Sequence, residues 1–309
     1  MPADKKYRLV TRSDFDGLVC AVLLKSMGIL DDIKFVHPKD VQDGKVDITA
    51  NDITTNLPYA PAAHLAFDHH ASETLRVTRK PVNHVIDADA PSAARVVYNY
   101  FGGRAKFPNV SEEMMAAVDK ADSAQYALDE ILNPKGWALL SFIMDARTGL
   151  GRFKTFTISN YDLMMKLIDF CTTHGIEEIL ALPDVKERVD LYFEQDAKAR
   201  AQLQRCAAAH ETLVVLDLRP EETIYAVNRF MIYALFPQCN ISMHVLWGVK
   251  RQNTVFAVGN SIINRTSRVK VGDLLLQYDG GGHDNAGTCQ VDNDRAEIVL
   301  AELIKRITA

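Results

Sequence analysis

The chain has 309 residues, 48% hydrophobic and 24% charged, the proportions of an ordinary globular protein rather than a disordered or fibrous one. Its net charge of −5 argues against a protein whose whole surface binds nucleic acid. No apolar run reaches the roughly 18 residues of a membrane helix, and the first residues lack the apolar core of a signal peptide. The five cysteines are odd in number, far apart and without a CxxC pair. They imply neither a disulfide framework nor a zinc–thiolate site, so a cytoplasmic protein of about two domains, with no membrane partner, is expected.

Short runs rich in Val, Ile and Phe read as strands: "YRLVT" (7–11), "IKFVHP" (33–38), "VDIT" (46–49), "HLAFDHH" (64–70) and "NHVID" (83–87). Helical patterns lie between them, from Leu18 to Met27 and from Pro91 to Phe101, the second opening on proline. The alternation predicts an α/β fold, a mostly parallel five-stranded sheet flanked by helices. Ligands collect at the carboxyl ends of such strands. On this reading "SDFDG" follows the first strand, "ND" follows the third and "DHH" closes the fourth.

From Ser111 to about His210 the patterns are mainly helical. "YDLMMKLIDFCTTHG" (161–175) has helical apolar spacing and a glycine stop. A long charged helix over 186–210 either packs on the first domain or connects it to a second. Strand-like composition restarts at "TLVVLDL" (212–218), which places a smaller α/β domain over 211–309. The expected organisation is a domain over 1–185, a helical connector and this second domain, with a cleft between the two domains.

Several stretches carry chemistry. Asp14 and Asp16 flank Phe15 at a strand end, where residues i and i+2 point to one side, and Gly17 lets the chain turn into a helix. Asp-x-Asp-Gly is also a common turn, and Asp52 alone could equally cap or turn the chain. Asp68, His69 and His70 close an apolar strand, where such side chains need water or a metal. Asp119 and Asp122 in "VDKADSA" end an apolar helical run and offer a further ligand. Asp14, Asp16, Asp52, His69 and one aspartate of that pair make an oxygen-rich set with one imidazole, which favours manganese or magnesium over structural zinc. Their number suits two ions about 3.5–4 Å apart that activate water for attack on phosphorus.

In "QYDGGGHDNAGTCQV" (277–291), three glycines free the backbone to approach a phosphate, and His283 follows at once. Residues 223–272 contain no Asp or Glu but six Lys or Arg, Arg265 among them, a local positive bias suited to an anion.

"SDFDGLVCAVLLK", "ND", "DHH", "VDKADSA" and "GGGHDNAG" occur in the order of the DHH phosphoesterase superfamily, and the chain resembles its members from about residue 7 to residue 300. The glycine-rich stretch resembles the signature of the DHH-associated C-terminal domain. The layout is similar to nanoRNases, phosphatases of 3′-phosphoadenosine-5′-phosphate and exopolyphosphatase-related members. The resemblance implies Asp14, Asp16, Asp52, His69 and Asp122 as ligands of two Mn²⁺ ions, with Mg²⁺ as the substitute. It selects Asp122 over Asp119, places His70 beside the substrate phosphate and sets Asp68 behind the histidines. It implies Gly280, Gly281, Gly282 and His283, helped by Arg265, as the binding site for the far end of the substrate. One departure is visible: many members carry a histidine shortly before the first Asp-x-Asp pair, where this chain has Thr11 and Arg12.

The expectation is therefore a metal-dependent phosphoesterase acting on short nucleic acids or small nucleotides. An exopolyphosphatase and a non-catalytic nucleotide sensor are the rivals. The oligomeric state stays open, a homodimer among the options.

Overall fold

A computed structural model describes residues 5–77, 79 and 81–309; residues 1–4, 78 and 80, which the expected first domain includes, lie outside the description. The chain forms two compact units. One comprises Met1–Gln125, Lys135–Ala146 and Leu150–Asp190; the other comprises Tyr126–Pro134, Arg147–Gly149 and Leu191–Ala309. The long helix Pro183–Cys206 contributes to both.

The first unit is built on five strands: β1 (Tyr7–Arg12), β2 (Leu30–Val36), β3 (Asp52–Thr55), β4 (Leu65–Asp68) and β5 (His84–Ile86). They lie in the order β2-β1-β3-β4-β5, and every neighbouring pair is parallel. A parallel sheet needs crossover helices, and its strands are apolar because both faces are covered. The helix Phe15–Ser26 meets that need: every residue from Phe15 to Leu24 is buried, so it is apolar all round. It packs against the helices Ala93–Tyr100, Glu112–Asp122 and Asn160–Phe170. Leu18, Leu23 and Leu24 are fully buried there, each contributing about 1.5–3 kcal/mol before the entropy of folding is subtracted.

Of the boundaries that differ from the sequence expectation, two bear on the site. The third strand is Asp52–Thr55, not 46–49, because Ile53, Thr54 and Thr55 are buried between β1 and β4 whereas 46–49 runs along the surface. The helix expected to open on Pro91 starts at Ala93, since Ser92 caps it by accepting the Arg95 N–H.

The second unit carries a mixed sheet of six strands: β6 (Ala207–His210), β7 (Leu213–Asp217), β8 (Ile241–Trp247), β9 (Thr254–Asn260), β10 (Gly281–His283) and β11 (Ala286–Val291). Their order is β10-β11-β9-β8-β7-β6, with β7 and β8 parallel and the other neighbours antiparallel. Met243, Val245, Phe256 and Val258 from the sheet meet Leu274 and Leu275 of the helix Val271–Leu276 and Val299 and Leu303 of the helix Ala296–Thr308. The end of the expected helix 186–210 is strand β6 instead. All five cysteines are free, and no helix among the described residues is long and apolar enough to cross a membrane.

Candidate active site

The carboxyl ends of β1, β3 and β4 point the same way, and the polar residues that follow them form one cluster. The turn after β1 supplies Asp14 and Asp16, β3 is followed by Asn56, and β4 ends on Asp68 before His69 and His70. Asp122 arrives as the last residue of the helix Glu112–Asp122.

Asp16, His69 and Asp122 present ligand atoms that all lie within 4.8 Å of one another. Asp16 is only 2% exposed, and its carboxylate accepts the N–H groups of Ala93 and Ala94 at 3.0 and 2.8 Å, the first turn of the helix Ala93–Tyr100. Burial, reinforced by the charges of Asp122 and Asp14, pushes its pKa up to about 8. His69 Nδ1 lies 3.2 Å from the Ala90 carbonyl, which only accepts, so Nδ1 carries a hydrogen and Nε2 is the nitrogen that faces the carboxylates. Nε2 is 2.8 Å from Asp122 Oδ2, yet it is buried and its geometry makes no hydrogen bond among the described residues. Burial works to lower the His69 pKa, but its contact with Asp122 and the charges of Asp16 and Asp68 outweigh that and raise it to about 9. The carboxylates of Asp16, which is buried, and of Asp122, which is partly exposed, thus favour a positive charge at Nε2. A proton supplies it, and a divalent ion supplies it better, because the donor set is two carboxylates and one imidazole.

Asp68 is 1% exposed and stands behind the two histidines. Its Oδ1 accepts the His69 N–H at 2.8 Å and the His70 Nδ1–H at 2.6 Å, which fixes the His70 ring and its tautomer. Burial lowers the His70 pKa, while the bond to Asp68 and its charge more than offset this and hold it above the ordinary histidine value.

Asp14 is engaged differently. It caps the helix Phe15–Ser26 by accepting the Gly17 N–H at 2.9 Å, receives the Asn56 Nδ2–H at 3.2 Å and ion-pairs with Arg12 Nε at 3.0 Å. Asn56 is buried in the left-handed region, φ 54°, which asparagine tolerates better than most residues.

Asp52 is not part of the cluster. It opens β3 at the amino end of the sheet, opposite Arg8 in the register, whereas the cluster lies at the carboxyl end. Arg8 Nε and Nη2 donate to its two oxygens at 2.7 and 3.0 Å, and Thr49 N–H donates at 2.6 Å. The expectation that Asp52 is a ligand is corrected by this placement; the residue at the site end of β3 is Asn56. Asp119 is likewise occupied, accepting from Ser92 Oγ at 2.7 Å and Arg95 Nε at 2.9 Å.

In the second unit, the glycine-rich stretch is an ordered hairpin. Gly281–His283 is β10, paired with β11 across Asp284 and Asn285. Gly280 and Gly282, but not Gly281, have a packing reason that the sequence reading did not foresee. A Cβ on Gly280 would sit 2.4 Å from the Thr288 carbonyl oxygen, and one on Gly282 would sit 2.2 Å from that of Ala286. His283 is exposed on β10, and Arg265 Nε donates to the Ile262 carbonyl at 3.0 Å.

Sequence reasoning missed Asn56 and the ion pair between Arg12 and Asp14. The signal for Asn56 was its place directly after Ile53-Thr54-Thr55, hidden by the misassigned third strand.

Among solved structures, a pGpG-specific phosphodiesterase, PggH of Vibrio cholerae, is 60% identical to this chain, with a TM-score of 0.85 and coverage of 98% of this chain and 99% of that one. An exopolyphosphatase-related protein of Bacteroides fragilis shares the fold at 10% identity and a TM-score of 0.54, over 98% of this chain and 93% of that one. RecJ of Thermus thermophilus, in complex with Mn²⁺, shares it at 14% identity and a TM-score of 0.56, over 98% of this chain and 52% of that one. No family model matches the chain, and no curated protein sequence does.

Proposed function

The chain belongs to the DHH superfamily of phosphoesterases, and we propose that its substrate is pGpG or a closely similar 5′-phosphorylated dinucleotide. The observation that carries a hydrolytic site is the Asp16–His69–Asp122 cluster, with Asp16 buried, Asp122 partly exposed and His69 Nε2 turned toward them. The choice of substrate rests on the relative that is 60% identical over almost the whole of both chains.

Hydrolysis of the internal diester forms one P–O bond to the oxygen of water and breaks the P–O bond to the leaving hydroxyl, which gains a proton. From pGpG the products are two molecules of GMP. Asp16, His69 and Asp122 would hold a divalent ion, in our reading Mn²⁺, and the chemistry it would supply is Lewis acidity toward the phosphate and the attacking water. The protein's own groups do the rest. Asp68 holds His70 by Nδ1, so the ring's other nitrogen is the one offered to the phosphate or the leaving oxygen. The bond to Asp68 and its charge favour the protonated form of His70 over that of an ordinary histidine. The helix amides of Ala93 and Ala94 keep Asp16 in place while it serves as a ligand. In the second unit, His283 on β10 and Arg265 in a stretch free of acidic residues are our proposed contacts for the substrate's far end.

The test is product release by the purified chain with Mn²⁺, using pGpG, dinucleotides of other bases, longer oligoribonucleotides and polyphosphate. GMP from pGpG well ahead of every other substrate supports the reading. An intact pGpG beside a hydrolysed longer oligonucleotide or polyphosphate overturns it.

A further inference from the structure

Resting on that phosphoesterase reading, we infer that Arg12 stands in for a second metal ion: the enzyme works with one divalent ion, and the Arg12 guanidinium binds the other side of the scissile phosphate. Three observations carry this.

First, the donor set closes on one ion. Among the described residues, the group of metal-ligand side chains within reach of one another in this cluster is Asp16, His69 and Asp122. Asp52, the donor that brought the sequence count up to two ions, is held by Arg8 and Thr49 at the amino end of β3.

Second, Asp14 is already satisfied by nitrogen. Asp14 accepts from the backbone of Gly17, from the carboxamide of Asn56 and from the guanidinium of Arg12. A carboxylate that bridged or bound a second ion would turn its lone pairs to that ion, and N–H donors on both oxygens compete for them. Asn56, the group at the site end of β3, is neutral and turns its NH₂ toward Asp14, so no further charge is offered there.

Third, Arg12 is placed as a phosphate ligand. It is the last residue of β1, two before Asp14, and its side chain is 38% exposed. Asp14 engages Nε, and the two terminal nitrogens beyond it are the pair that binds a phosphate in fork geometry. Its charge is also felt at Asp122 across the cluster. With Asp68 set against His70, the carboxylates of Asp14, Asp16 and Asp122 are thereby matched in charge by one divalent ion and one guanidinium.

The experiment is metal counting without substrate, followed by kinetics. The chain is loaded with Mn²⁺, freed of excess and measured for ions per chain, with electron paramagnetic resonance of the same sample. One Mn²⁺ per chain, with the uncoupled spectrum of an isolated ion, is expected. Arg12→Ala and Arg12→Lys should keep that count while kcat falls about 10²–10³-fold in the alanine variant and less in the lysine one. Two ions per chain with an exchange-coupled spectrum overturn the inference, as does an alanine variant with the parent kcat. Because the count needs no substrate, a wrong choice of dinucleotide would fail the activity test above and leave this one intact.

Discussion

His70 Nδ1 and Asp68 Oδ1 meet at 2.6 Å, the shortest of the contacts that orient the two neighbouring histidines after β4. The same aspartate oxygen accepts the His69 backbone N–H, while the His69 ring turns its Nδ1 to the Ala90 carbonyl.

Asp68→Asn should therefore act through His70. Without the Asp68 charge, burial is left to dominate, and the His70 pKa should fall in an NMR titration of the metal-free protein. Activity should drop about 10–100-fold, the range found when the group behind a ligand or catalytic histidine is removed.

Asp16→Asn is near-isosteric, and Asp16 already favours its protonated form below a pKa of about 8. The metal-free variant should melt close to the parent. It should lose the gain that Mn²⁺ confers on the parent, about 2.7 kcal/mol at a free metal concentration 100 times Kd. Its kcat should fall at least about 10³-fold, since the Lewis acid is worth several kcal/mol. A variant that kept both metal stabilisation and activity would remove Asp16 from the ligand set.

Asp52→Ala separates the two ends of the sheet. Burial raises the Asp52 pKa, but the bonds from Arg8 and Thr49 more than offset it, so the folded pKa lies below the ordinary 3.8. A carboxylate lowered in this way stabilises the fold above its unfolded pKa and loses that contribution as pH falls through the folded value. The variant should cost about 2 kcal/mol in urea unfolding at pH 7. That gap should stay level down to the ordinary carboxylate range and close below it, while kcat and metal content stay at parent values.

Gly280→Ala should destabilise the second unit by about 1–3 kcal/mol, because the new methyl would sit 2.4 Å from the Thr288 carbonyl oxygen and 2.6 Å from Cys289 Cβ. Hydrogen exchange localised to β10 and β11 would read this directly. An unchanged hairpin would mean that the glycines serve the ligand rather than the packing.

The parallel sheet and the histidine pair were legible because apolar runs and their polar ends carry both in a few adjacent residues. The misreading of Asp52 has a specific origin. "VDITA" (46–50) and "NDITT" (51–55) are nearly the same five residues twice, and a window of this length cannot tell which copy the sheet buries. Choosing the first copy moved the end of the strand and turned Asp52 into a carboxyl-end residue, leaving Asn56 out of sight. Arg8 and Asp52 are 44 positions apart, so only the β1–β3 register shows that they belong to each other. Arg12 was visible only as a missing histidine, since what a side chain replaces in space is not written in its neighbours.

The backbone passes from one compact unit to the other at 125/126, 134/135, 146/147, 149/150 and again within the long helix at 190/191. A single cut would therefore sever pieces that each half needs to close its own core. A gene for this enzyme cannot be assembled by fusing two ready-made modules end to end, nor shortened to one of them.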